Sequence, residues 1–279
     1  MAKSFKLKKS ELKEFLDEKA HFYENPKFIE SDPIQVVHRF HTKQDREISG
    51  FLTATIAWGN RKSIINNATR MMLLMDNDPH NFILNHTQAD LENLSGFVHR
   101  TFNGTDLKTF IKALHHIYKH HGGLEEVFLA HAKKNSLQES IHHFKKHFFE
   151  IDHLARTQKH ISDPLKKSAA KRINMYLRWM VRPADAGVDF GIWRKLHPAQ
   201  LSCPLDVHSG RVARQLGLLK RKQNDAAALN ELDAALRKLD AQDPVKYDYA
   251  LFGLGSAGLL RAWVVLLLII AAIALSWHQ

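Results

Sequence analysis

Apolar residues in this chain recur three and four positions apart almost throughout, and no run of β-branched residues alternates with polar ones. A period near 3.6 buries one face of a helix, whereas a half-buried strand needs a period of two. The fold class is therefore expected to be all-α. Ser10 opens a segment with Leu12, Phe15 and Leu16 on one face, and Ser31-Asp32-Pro33 reads as a cap with proline at the first helical position ahead of Ile34, Val37 and Phe40. Ile48, Phe51, Leu52 and Ile56 carry the pattern to Gly59, and Ile64 to Met75 forms another apolar helix. Thr105-Asp106 caps Leu107 to Tyr118, Gly122-Gly123 interrupts, and Ser136 with Glu139 has the spacing of a capping box before Ile141, Phe144 and Phe148. Further helices are expected at Ser168 to Val181, Asp206 to Leu218, Asp225 to Leu239 and Pro244 to Phe252, with no internal repeat.

Over 279 residues, 44% hydrophobic and 25% charged side chains describe a globular chain and exclude a collagenous, low-complexity or wholly disordered one. Residues 1–258 are expected to form a single helical unit of one or two lobes, and residues 259–279 an apolar tail. A lone cysteine, Cys203, allows no internal disulfide, no thiolate-ligated zinc and no four-cysteine iron-sulfur cluster. The opening MAKSFKLKKSELKEF lacks the apolar core of a secretory signal, so the expected location is cytoplasmic. Ala262 to Trp277 is uncharged and reaches roughly 24 Å as a helix, short of a normal membrane span. A buried terminal helix or an altered terminus is preferred for it over a membrane anchor.

The charge is unevenly placed. Of 40 basic and 29 acidic residues, 13 basic and only four acidic ones fall between Asp163 and Lys222, so nearly all of the +11 excess sits in one window. Solvated helices would spread such charge, while neutralising phosphates from one face concentrates it. Trp179, Phe190 and Trp193 interleave with those cations, and bases stack on such rings. Double-stranded DNA is the expected partner, bound by a monomer.

Two segments within the window carry a resemblance. Pro204-Leu205-Asp206-Val207-His208-Ser209-Gly210-Arg211-Val212-Ala213-Arg214-Gln215-Leu216-Gly217-Leu218 resembles the Val-Asp-Thr-His segment and following Arg-rich helix of the helix-hairpin-helix DNA glycosylase superfamily. Lys171-Arg172-Ile173-Asn174 is similar to the Lys-Thr-Ala-Asn that opens the second hairpin helix in the endonuclease III branch. The resemblance implies helical lobes around a basic cleft, with Asp206 as the catalytic aspartate and Lys171 as the nucleophile. It further implies DNA contact through Lys166, Lys167, Arg172, Arg178, Arg182, His208, Arg211 and Arg214, and a base pocket drawn from Trp58, Trp179, Phe190 and Trp193. The longer run from Asn174 to Arg182, then Gly187-Val188-Asp189 and Gly191-Ile192-Trp193, is similar to an uncharacterised bacterial family, domain of unknown function 2400. The chain departs from the glycosylase pattern in its hairpin turn. Asp163-Pro164-Leu165-Lys166-Lys167-Ser168 stands where Leu-Pro-Gly-x-Gly is usual, and the insertion Pro183 to Leu201 lengthens the spacing from Lys171 to Asp206. No cluster cysteines are present, so the resemblance implies no cofactor.

Chemistry gives each residue two readings. An amine that attacks a sugar C1′ must be neutral, which burial or neighbouring cations promote, and an anion must steady the charge developing on the sugar. Lys171 fits that nucleophile, or else contacts a phosphate; Asp206 fits that anion and is also a natural N-cap, roles that are compatible. The expected function is a DNA glycosylase/AP lyase acting on a damaged base or abasic site, with a non-catalytic nucleic-acid binder and a membrane-associated interaction protein as alternatives. His116/His120 and His143/His147 have the helical spacing of metal ligands, but no carboxylate occupies a recognisable third position in sequence, so no metal is expected.

Overall fold

The computed structural model describes residues 8–256, and within them the chain is mostly helical. In order the helices are α1 (Lys9–Tyr23), α2 (Ile34–Val37), α3 (Lys43–Thr55), α4 (Arg61–Leu73), α5 (Pro79–Asn85), α6 (Gln88–Asn93) and α7 (Gly104–His120). Then follow α8 (Leu124–Leu129), α9 (Gln138–Phe148), α10 (Lys171–Val181), α11 (Val207–Gln215), α12 (Ala226–Arg237) and α13 (Tyr247–Ser256). The expected all-α class holds, with one small addition: β1 (Val98–His99) pairs antiparallel with β2 (Phe102–Asn103). Two-residue strands are too short to display alternation. For the same reason α5, α6 and α8, of six or seven residues each, lack a readable period. The segment Ala262 to Trp277 lies outside the described residues, and among the described residues no helix is long and apolar enough to cross a membrane.

Helix starts follow the side chains that satisfy their free amides. Asp206 and Asp225 cap α11 and α12 as expected. Before α7 the cap shifts two residues upstream, to Asn103, and Asp106 closes a capping box with it. The box expected from Ser136 and Glu139 does not form. Leu137 holds the cap position of α9, Ser136 accepts only from the Gln138 N–H, and Glu139 is taken by the ammonium of Lys133.

Two apolar clusters form the interior. The larger is built from α2 to α10 around Phe51, whose ring meets Phe110, Phe144, Phe148 and Tyr176 with centroids 5.4–5.8 Å away. The smaller joins α1, α11, α12 and α13 through Leu16, Val212, Leu229, Leu232 and Leu251. Tyr23 packs against both, and α13 gives Tyr249 to the first cluster and Leu251 and Leu254 to the second.

Where the clusters meet, the last two turns of α10 carry a buried ionic network. Arg178 pairs with Asp248 and lies 3.4 Å from Asp189, while Arg182 reaches Asp189 at 2.7 Å, Glu24 at 2.5 Å and Asp243 at 2.8 Å. Both guanidinium groups lie over the ring of Tyr249, at 4.3 and 5.4 Å. Removing one member of a buried pair leaves its partners charged and dry, which costs about 3–5 kcal/mol. Arg182→Met should therefore lower the urea-derived unfolding free energy by about that amount, whereas breaking the exposed Lys195–Glu126 pair with Lys195→Ala should change it by less than about 1 kcal/mol. Equal losses from the two variants would contradict the role given to the network.

Candidate functional site

The site begins with two helix starts. Lys171 is the first residue of α10, and Asp206 is the N-cap of α11. Their side chains meet, with Lys171 Nζ 3.2 Å from Asp206 Oδ2. The carboxylate divides its work between its oxygens: Oδ1 accepts the Ser209 N–H at 2.8 Å and the Ser209 hydroxyl at 3.1 Å, which leaves Oδ2 to face the lysine. Lys171 keeps 38% of its side chain exposed and Asp206 11%, so the pair stands at a mouth and not in the core. Asn224 donates to the Asp206 carbonyl at 2.7 Å, and Gly255 lets α13 come close, because a Cβ there would lie 2.9 Å from the His208 carbonyl oxygen.

A cavity of about 210 Å³ opens beside the pair. Phe28, Trp58, Met175 and Phe252 give it apolar walls; Asp32, Asp206 and Asp248 oppose Arg61, Lys171 and Arg178 around it. Its charges balance, and the lining is mixed. A second concavity shares Ala57, Trp58, Gly59 and Lys171 with the first and continues along Ser168, Ala169 and Ala170 to Leu205 and Asn224. Lys171 thus stands between the two. No side chain caps α10, and Lys167 (φ 68°) and Ala170 (φ 44°) take left-handed backbone conformations just before it. A non-glycine residue pays for that conformation, and such strain gathers where a ligand is handled.

The structure sorts the sequence-predicted residues. Lys166, Lys167, His208 and Arg211 are exposed; His208 lines the cavity, and Arg211 donates to the Gly255 carbonyl at 2.5 Å. Arg214 is spent on the carbonyls of Arg221 and Gln223 and on the Asn224 side chain. Arg172 donates to the Thr55 carbonyl and, at 3.1 Å, to the His160 carbonyl, with its guanidinium 4.7 Å from the centre of the Trp58 ring. Burial pushes Arg172 down to about 10, still fully charged at neutral pH. It positions Trp58. Arg178 and Arg182 are a correction: both are buried among carboxylates and present no cation to a surface phosphate. Trp179, Phe190 and Trp193 are corrected likewise, since all three pack in the larger cluster and Trp193 donates its indole N–H to buried Glu47 at 2.6 Å. Of the four aromatic candidates, Trp58 alone lines the cavity.

Sequence reasoning missed Phe28, Arg61 and the pocket role of Asp32. One signal was available. Arg61 and Lys171 both occupy the first position of a helix, where the macrodipole disfavours a cation, so each is placed there against local preference. Asp32 accepts the Ile34 N–H at 3.0 Å, as a cap should, but it is also buried, which raises its pKa.

Residues 32–257 match the family model described as a protein of unknown function, DUF2400, and the chain belongs to that family. No curated protein and no solved structure matches it.

Two outcomes follow from this geometry. Asp206→Ala should cost about 1 kcal/mol of stability through the lost cap, while Asp206→Asn, itself a good cap, should stay within a few tenths; equal losses would remove the capping role. Burial pushes Asp248 up to about 6 against the pull of Arg178. A carboxyl raised on folding contributes stability that is present below its ordinary value of 3.8 and lost as pH rises through about 6. The stability of Asp248→Asn relative to the parent should therefore improve over that interval, and a relative decline would show that Asp248 is not held protonated by burial.

Proposed function

We propose that this protein is a DNA-binding base-excision enzyme, a DNA glycosylase/AP lyase of the helix-hairpin-helix type, acting on a damaged base or abasic site in duplex DNA. The observation that carries this reading is the 3.2 Å approach of Lys171 Nζ to Asp206 Oδ2 at the mouth of an aromatic-walled cavity. Two residues 35 positions apart in the chain, both assigned chemistry by the resemblance, face one another where one sugar would lie.

The surroundings divide into parts that suit a flipped nucleotide. Phe28, Trp58 and Phe252 offer apolar faces to a base, and Arg61, Asp32 and Asp248 offer polar contacts to its edge. The groove along Ser168 to Ala170 ends at the uncapped start of α10, where free amides and the positive end of the helix dipole favour a phosphate. When the Pro-Gly-x-Gly pattern of the hairpin is laid on Pro164, its second glycine falls on Lys167, and Lys167 has the left-handed backbone that glycine would supply. Lys166 and Lys167 are exposed at that turn and Arg211 on α11. The basic surface is thus a rim around a pocket of mixed charge.

In the reaction the Lys171 ammonium, held by Asp206 in the resting site, gives up a proton to solvent. The neutral amine adds to C1′ of the extruded nucleotide as the bond from C1′ to the base breaks, the base leaving with the electron pair and taking one N–H proton from the nitrogen. Asp206 Oδ2 stabilises the positive charge that develops on the sugar, and its other oxygen keeps the carboxylate fixed on α11. The C1′–O4′ bond then breaks, O4′ takes the remaining N–H proton, and a Schiff base is left between Lys171 and C1′. On an abasic site the same amine condenses with the free aldehyde and water departs.

Borohydride trapping tests the reading. Incubated with abasic and 8-oxoguanine duplexes and reduced, the protein should give a covalent adduct that survives denaturing electrophoresis. Lys171→Ala should abolish it while leaving salt-sensitive binding largely intact, and Asp206→Asn should slow its formation by about 10²–10³-fold. Binding without trapping on either duplex would make the protein a non-catalytic binder, and persistent trapping in Lys171→Ala would move the nucleophile elsewhere, with Lys167 the first suspect.

A further inference from the structure

Two histidines and a glutamate gather on another part of the molecule, none of them lining the cavities beside Lys171. His116 lies in the last turns of α7, His121 caps that helix at its C-terminal end, and Glu150 follows the end of α9. His116 Nε2 is 3.0 Å from Glu150 Oε2, His121 Nε2 is 3.1 Å from the same oxygen, and the two nitrogens are 3.3 Å apart. The carboxylate that the sequence spacing did not supply is brought in by the packing of α7 on α9.

Hydrogen bonding accounts for two edges of this triangle and not the third. The carboxylate oxygen only accepts, so both nitrogens must carry protons to bond it, and the edge between the nitrogens is then a contact without a hydrogen bond. If one nitrogen is bare, its lone pair faces the carboxylate instead. A cation just off the plane of the triangle would accept a lone pair from each of the three atoms. The lengths agree with that occupant: bonds of 2.0–2.1 Å in a tetrahedron separate neighbouring ligand atoms by about 3.3 Å, close to all three edges.

The second shell is also in place. His147 Nδ1 lies 2.8 Å from Glu150 Oε1, the oxygen not used in the triangle, and so fixes the carboxylate plane. The C-terminal ends of α7 and α9 converge here, and the negative ends of both helix dipoles favour a positive ion.

We infer that His116, His121 and Glu150 form a binding site for a divalent transition metal of the zinc class, clamping the end of α7 to the end of α9 and leaving the fourth ligand position to water. Imidazole with one carboxylate suits zinc, and the absence of thiolate argues against soft monovalent ions. The site does not depend on the DNA reading, and either stands without the other.

The test uses the full chain without a histidine tag, freed of metal by chelation and then titrated calorimetrically with zinc chloride alone. One saturable step at micromolar zinc is expected, accompanied by a rise in the thermal unfolding midpoint. The chain has 19 histidines, so the variants decide specificity. His116→Ala with His121→Ala should remove the step, and Glu150→Gln, which keeps the shape of the side chain, should weaken it at least about tenfold. His131→Ala with His143→Ala, a stacked pair elsewhere, should leave it intact. Cobalt(II) at the site should give the visible absorption of a tetrahedral nitrogen and oxygen field. The proposal is overturned if the parent takes up no zinc in this range, or if the His116/His121 variant titrates like the parent.

Discussion

Arg178 and Arg182 hold the molecule together where its two apolar clusters meet. Each guanidinium is buried, and between them they meet carboxylates from the end of α1, the loop after α10, the approach to α13 and α13 itself. Ion pairs of this kind add little net stability compared with apolar packing, because two charges must first be dried. They do specify position. Five donors in a rigid fork accept few arrangements of surrounding carboxylates, so the network fixes how α10 sits against α1 and α13. Since Lys171 begins α10 and Asp206 caps the helix packed on α13, their meeting follows from this constraint, two of whose members, Arg178 and Asp248, themselves line the cavity.

The same network explains why a basic window in the sequence does not become a uniformly basic cleft. Part of the excess positive charge is consumed internally by acids from outside the window, namely Glu24, Asp243 and Asp248. More is consumed by backbone carbonyls, as at Arg172 and Arg214. Lys166, Lys167 and Arg211 are among the cations that remain exposed. A charge count along the chain reads the total correctly and cannot tell a phosphate-binding cation from a structural one, because the partners of a buried arginine lie far away in sequence.

Helix type and two of the helix starts were legible because they rest on local chemistry: Asp206 and Asp225 cap the helices their positions suggested. The Lys171 and Asp206 juxtaposition was legible only through the resemblance. Aromatic roles were not, since Trp58 and Trp179 look alike in sequence, and tertiary packing buries one and places the other beside an arginine at a cavity wall. The His116, His121 and Glu150 triangle was legible only in part. Only His116 was singled out, in a pair with His120 at helical spacing, whereas His121 joins it through the turn that ends α7 and Glu150 through the packing of α7 on α9.

The proposed function requires DNA to be engaged where α10 and α11 begin. Hydrogen exchange of the full chain with a duplex carrying an uncleavable abasic analogue, compared with the free protein, tests it most directly. Protection should concentrate in residues 57–62, 166–173 and 206–211, which form the cavity walls and its rim. Protection elsewhere with these three segments unchanged would contradict the account.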